Sequence, residues 1–204
     1  MKPLLTILAT TLLATSAHAG LTTFDFKDPK GVNNVTFTLD APLESISGTA
    51  SGISGSVTLD PTNPTEVTGK IIVDANSLRV PNDVMQEHML GDGWLHADAH
   101  PKIIFEVKEI LNQQKDGNTG SAEVKGTFTL KGISKEITAP AKVTYLPGRL
   151  GDRSGGQVQG DLLVVRTTFN FSRSEFDIKP GESLDKVSDT VTISLAIAGA
   201  APKP

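Results

Sequence analysis

The chain has no cysteine, one tryptophan, one tyrosine and four histidines in 204 residues. Without cysteine there is no disulfide, no thiolate to hold a metal and no cysteine nucleophile. Stability must come from a packed core, and a chain of this length can bury one. Positive charge is also scarce: 19 Lys and Arg against 23 Asp and Glu leave a net charge of −4. Nucleic acid is excluded as a partner, because it is bound by a basic face. No G-x-S-x-G nucleophile motif is present, and Gly52-Ile53-Ser54-Gly55 has a different spacing. No catalysis and no cofactor are expected. After the first twenty residues no apolar run approaches the length of about 20 residues that spans a bilayer, so stable membrane insertion is not expected.

The first twenty residues are of another kind. Lys2 precedes an uncharged stretch from Leu4 to Ala14, and Ala17-His18-Ala19 forms an A-x-A site before Gly20. This is the pattern of a cleaved secretory leader, residues 1–19, and implies a periplasmic or secreted protein. Residues 20–200 then form one domain, and 201–204 (Ala-Pro-Lys-Pro) read as a disordered tail.

Within that domain the apolar residues recur with period two. Val35, Phe37 and Leu39 alternate with polar residues, as do Ile53, Gly55, Val57 and Leu59. Val67 to Val73, Val124 to Leu130 and Val191 to Ile197 follow the same rule. Thr23 to Lys27, Ile103 to Ile110, Ile137 to Tyr145 and Leu162 to Phe171 also read as strands. Alternation of this kind belongs to antiparallel sheet with one face buried and one in water. Turns are marked at Asp60 to Pro64, Asp116-Gly117-Asn118, Lys131-Gly132 and Pro147-Gly148. Eight or nine short strands predict an all-β sandwich or barrel. The glycine-rich stretch from Gly148 to Gly160 reads as a long, mobile loop.

Pro81 to His100 breaks the rhythm. Asn82 is suited to cap a helix that runs through Val84, Met85, His88 and Met89, and Gly91 and Gly93 end it. Trp94 follows, and the whole reads as a lid over one end of the sheet. His88, His96 and His100 lie here with Asp92 and Asp98 among them, so a metal-binding protein or metalloenzyme built on these three histidines is the alternative function. Pro101 argues against helical geometry at His100.

Four stretches resemble one family. They are Glu87-His88-Met89-Leu90 with Trp94-Leu95 and His100 to Phe105, Gly126 to Lys135, Asn170 to Ile178, and Val187 to Val191. In order and spacing these are similar to the YceI family of lipocalin-like, polyisoprenoid-binding proteins. The resemblance implies an eight-stranded antiparallel β-barrel, often a homodimer, with an apolar cavity. The chain departs from the family at Leu39-Asp40, where a Lys-His pair is common, at His96, where relatives have Asp, and at Asp177, which replaces a glycine.

The implied ligand is a bound lipid: an isoprenoid, a quinone or a fatty-acid-like molecule. Each buried methylene contributes roughly 0.8 kcal/mol and one neutral hydrogen bond about 1 kcal/mol, so the tail dominates affinity. Candidate wall residues are Phe37, Ile71, Val73, Phe105, Phe128, Phe169, Phe171 and Leu195, with Met89 and Trp94 at the lid. The inward glycines Gly55, Gly69 and Gly126 fit either relief of strain at bends or room for a ligand; the resemblance favours room. Arg173 fits either a structural fork beneath its own loop or a contact to a ligand phosphate or carbonyl.

Overall fold

A computed structural model describes residues 20–203. The expected leader, residues 1–19, lies outside them.

Among the described residues, ten strands and two short α-helices follow one another. The first hairpin is β1 (Thr22–Asp25) and β2 (Asn34–Asp40) running against β3 (Ser45–Ala50) and β4 (Ile53–Leu59). After β5 (Val67–Asp74) comes α1 (Asp83–Leu90), then β6 (Lys102–Asp116), β7 (Thr119–Leu130) and β8 (Ile133–Leu146). A one-turn helix α2 (Leu150–Ser154) leads to β9 (Gly160–Ser172) and β10 (Thr190–Pro202). All pairings are antiparallel. They run β1-β4-β5-β6-β7-β8-β9-β10, and β1 meets β10 again at Asp25 and Ala200. β2 takes the other half of that β10 edge, and β3 lies beside β2. The ten strands therefore fill eight positions of a closed barrel.

The seam between β1 and β2 is patched by one side chain. Asn33 is 3% exposed, and its amide nitrogen donates to the Phe26 and Ala198 carbonyls at 3.0 and 3.1 Å. Its amide oxygen accepts from the Ala198 N–H at 2.9 Å. The side chain thus replaces the ladder where the backbone of the first strand leaves β10, pairing the Ala198 N–H and C=O and the Phe26 C=O.

The alternating residues face as the period predicts. Opposite residues across the ladders form inward rows: Ile71 pairs with Phe105 and Phe105 with Phe128, while Phe169 pairs with Ile193 and Ile193 with Phe37. The outer face carries charge, including the ion pairs Lys125–Glu136 at 2.9 Å and Lys108–Glu106 at 3.0 Å. A barrel that crosses a membrane needs an apolar outer band instead. Among the described residues no helix is long and apolar enough to cross a membrane.

Two expectations about loops and tail are corrected. β10 runs through Pro202, with Ala201 opposite Asp161 and Pro202 opposite Gly160. Lys203 then bonds the Gln159 carbonyl through its N–H and the Asp161 carboxylate through Nζ at 2.9 Å, so residues 201–203 are ordered by pairing and charge. The stretch after Gly148 is held as well. α2 buries Leu150, and Arg153 reaches Asp28 at 2.9 Å and Asn33 at 3.2 Å.

The inward glycines do not supply ligand space. Gly55 (φ 106°) and Gly69 (φ 130°) face each other's strands, and a Cβ on either would stand 2.2 Å from the Lys70 carbonyl or 2.1 Å from that of Ser56. They allow β4 and β5 to bend and approach. A Cβ at Gly126 would stand 2.6 Å from the Phe105 ring, which occupies that room.

Candidate functional site

The barrel is hollow. A cavity of about 590 Å³ runs along its axis, within the range of small-molecule sites. Phe37, Ile71, Val73, Phe105 and Phe128 line it, as do Phe169, Phe171 and Leu195. Phe105, Phe169, Phe171 and Leu195 point inward yet are only partly buried, as walls of a lumen are. Ala139 and Ala141 on β8 leave the space that larger side chains would fill. The small side chains at alternating positions 139 and 141 were the readable signal for this hollow side.

One end is covered by the segment after β5. Asn82 caps α1 by accepting the Met85 N–H at 2.9 Å, as the sequence predicts, and Gly91 follows the last turn. Met85, Met89, Leu90 and Leu95 pack on the main core, while Val84 and His88 face outward. Met89 and Trp94 line the cavity at this end. Below them Phe128 meets Phe171 and Phe176 with centroids 5.2 and 5.4 Å apart.

Arg173 lies at the same end and is 1% exposed. Its Nε donates to the Ser188 carbonyl; Nη1 donates to Ile178 and Lys179; Nη2 donates to Glu182 and Val187. Those five bonds use all five N–H groups of a guanidinium. The contact to a ligand head group is therefore corrected. Arg173 is the fork that gathers residues 178–188, and it borders the lumen with no donor to offer. Asp177, where the family has glycine, sits in the left-handed region (φ 54°), which Asp tolerates.

The histidines do not converge. His88 is exposed on α1, and the His96 and His100 rings pack edge to face with centroids 5.8 Å apart. Among the described residues no group of three or more His, Asp or Glu side chains is placed to hold a metal ion. His96 has φ 49° and turns the chain after Trp94, so His100 is fixed by its own backbone bond to the His96 carbonyl at 2.9 Å.

The opposite end is the polar mouth. Thr62, Gln114, Asn118, Thr119 and Ser121 border it. Gln113 donates to the Pro64 carbonyl at 3.0 Å and Lys115 to that of Thr62 at 3.1 Å, which ties the β6–β7 hairpin to the β4–β5 loop. Bulges in β6, after Val107 and after Leu111, bend this hairpin over the opening. Tyr145 also borders the lumen and donates to the Asp161 carboxylate at 2.8 Å. Burial pushes the Tyr145 phenol up to about 12, helped by that bond and by the charges of Asp161 and Asp60.

A family model described as a YceI-like domain matches residues 17–198. The chain belongs to the YceI-like family. A UPF0312 protein of Pseudomonas paraeruginosa is 27% identical to this YceI-like chain over 152 residues, which cover 74% of it and 72% of the relative. A UPF0312 protein of Yersinia pestis has the same identity and coverage. Among solved structures, Burkholderia cenocepacia BcnA superposes with a TM-score of 0.66 at 20% identity, covering 81% of this chain and 95% of that one. A domain of Saccharophagus degradans, described as polyisoprenoid binding and implicated in plant cell wall breakdown, gives 0.63 at 14% identity over 89% and 99%. The YceI-like barrel is thus shared at identities where little sequence is.

Proposed function

We propose that this protein is an exported carrier without catalysis that holds an isoprenoid, quinone or fatty-acid-like molecule in its barrel. The observation that carries the reading is the lumen: about 590 Å³, walled by phenylalanine and aliphatic side chains, with the Arg173 donors at its far end already paired. An extended apolar tail fits such a space and contributes roughly 0.8 kcal/mol for each methylene it buries. The tail points to Trp94. The shared fold of a polyisoprenoid-binding domain supports the same ligand class. Export, to a periplasm or the medium, follows from the leader pattern of residues 1–19.

Organic extraction of protein purified from its exported form, followed by mass spectrometry, tests the reading. A stoichiometric long-chain lipid is expected, with Gly20 as the first residue of the mature chain. Absence of any lipid, together with no rise in Tm on adding one, would sink the carrier.

A further inference from the structure

Between the mouth and Arg173, among the described residues, the side chains lining the cavity are apolar except those of Tyr145, whose hydroxyl is spent on Asp161, and Thr167. Thr167 sits halfway along β9. It pairs with Ala141 on one side and Leu195 on the other, and Val165 and Phe169 flank it on the same wall. Its hydroxyl oxygen is buried and has no hydrogen-bond partner. A buried hydroxyl without a partner is unfavourable, and valine would give the same shape without that cost. A step of χ1 between staggered positions exchanges hydroxyl and methyl without moving the backbone. Because the hydroxyl has no partner, such a step breaks no protein hydrogen bond.

We infer that Thr167 is the polar anchor of the lumen and that it selects a ligand with a neutral oxygen, a hydroxyl or carbonyl, lying at mid-barrel. The surroundings decide the charge. Ala141, Leu195, Val165 and Phe169 offer nothing to balance a phosphate or carboxylate, whereas a neutral oxygen needs one partner only. The inference rests on the carrier reading and adds the chemistry of the ligand's polar atom.

The test uses farnesol and farnesene, which share a carbon skeleton and differ in the hydroxyl, against the mature protein. Thr167→Val is expected to bind farnesol about fivefold more weakly, the worth of one neutral hydrogen bond, and to bind farnesene as the native protein does. Thr167→Ser, which keeps the hydroxyl, restores farnesol binding. The Tm of ligand-free Thr167→Val stays level or rises. Equal losses for both probes, or no loss for farnesol, would overturn the inference and leave the carrier standing. Native protein that binds neither probe would overturn the carrier reading and the inference with it.

Discussion

The Arg173 guanidinium lies over the Trp94 indole, its central carbon 5.5 Å from the ring centroid. The stacked cation joins the lid segment to the loop that follows β9, since the same guanidinium holds five carbonyls of that loop. Arg173→Lys keeps the charge but offers three donors for five acceptors. The expected cost is about 3 kcal/mol or more in urea unfolding. Amide exchange should accelerate across Ile178 to Val187, and Trp94 fluorescence should shift. Unchanged exchange in that segment would show that the loop stands without its fork.

Asn33 invites a second substitution. Asn33→Ala leaves the Ala198 N–H and two carbonyls without their partner at the β1–β2 seam. A loss of at least about 2 kcal/mol is expected, with the amide protons around Ala198 losing protection first. Native stability would mean that the barrel wall does not depend on this patch.

Acid should unfold the protein through two carboxylates. Burial pushes Asp161 up, but bonds from Lys203, the Gly148 N–H and Tyr145 and the charge of Lys203 outweigh it and hold the group below 3.8. Asp28 is likewise lowered: the N–H groups of Asn33, Lys30 and Val32, with Arg153, outweigh burial. A carboxyl lowered in the folded state stabilises above its unfolded pKa, and that contribution is lost as pH falls through the folded value. Stability should hold to about pH 4 and fall below it. Asp161→Asn should be less stable at neutral pH and flatten that acid slope. At the alkaline end the sign is opposite: the single tyrosine should titrate near 12 by tyrosinate absorbance, with stability lost as pH rises from about 10, its unfolded value, through about 12.

Ala141 tests the lumen directly. It is buried, paired in the ladder and exposed to the cavity alone. Ala141→Phe should fold with a near-native Tm and lose the rise in Tm that an apolar ligand gives, because the added ring occupies the ligand's volume. A variant that keeps the full rise would place the ligand elsewhere.

Much of this was legible, because barrels repeat a short period. The strands with Val, Ile and Phe at alternate positions, the Asn82 cap and the turn at Lys131-Gly132 all follow local rules. β3 was not legible, since Ser45-Ile46-Ser47-Gly48-Thr49-Ala50 has one large apolar residue. Its inward face is filled from across the ladder by Phe37, whose ring stands where a Cβ of Gly48 would be. The parity that marks Phe169 and Phe171 as walls also reaches Thr167, which a search for apolar alternation does not mark. Gly55 and Gly69 misled for a related reason: a gap in a pattern looks like space until the opposing backbone is placed. The role of Arg173 depends on carbonyls up to fifteen residues away, which no local motif encodes.

β10, the last strand among the described residues, is the one that closes the barrel. β10 pairs with β9 along its length, with β2, and with β1 where Asp25 meets Ala200. An emerging chain that ends before β10 has a sheet with two open edges and no inside. The lumen therefore depends on β10, and a fragment that ends before it does not enclose one. Closure between residues so far apart in sequence is slow relative to local pairing. The inner wall of the barrel is therefore open to water until β10 docks.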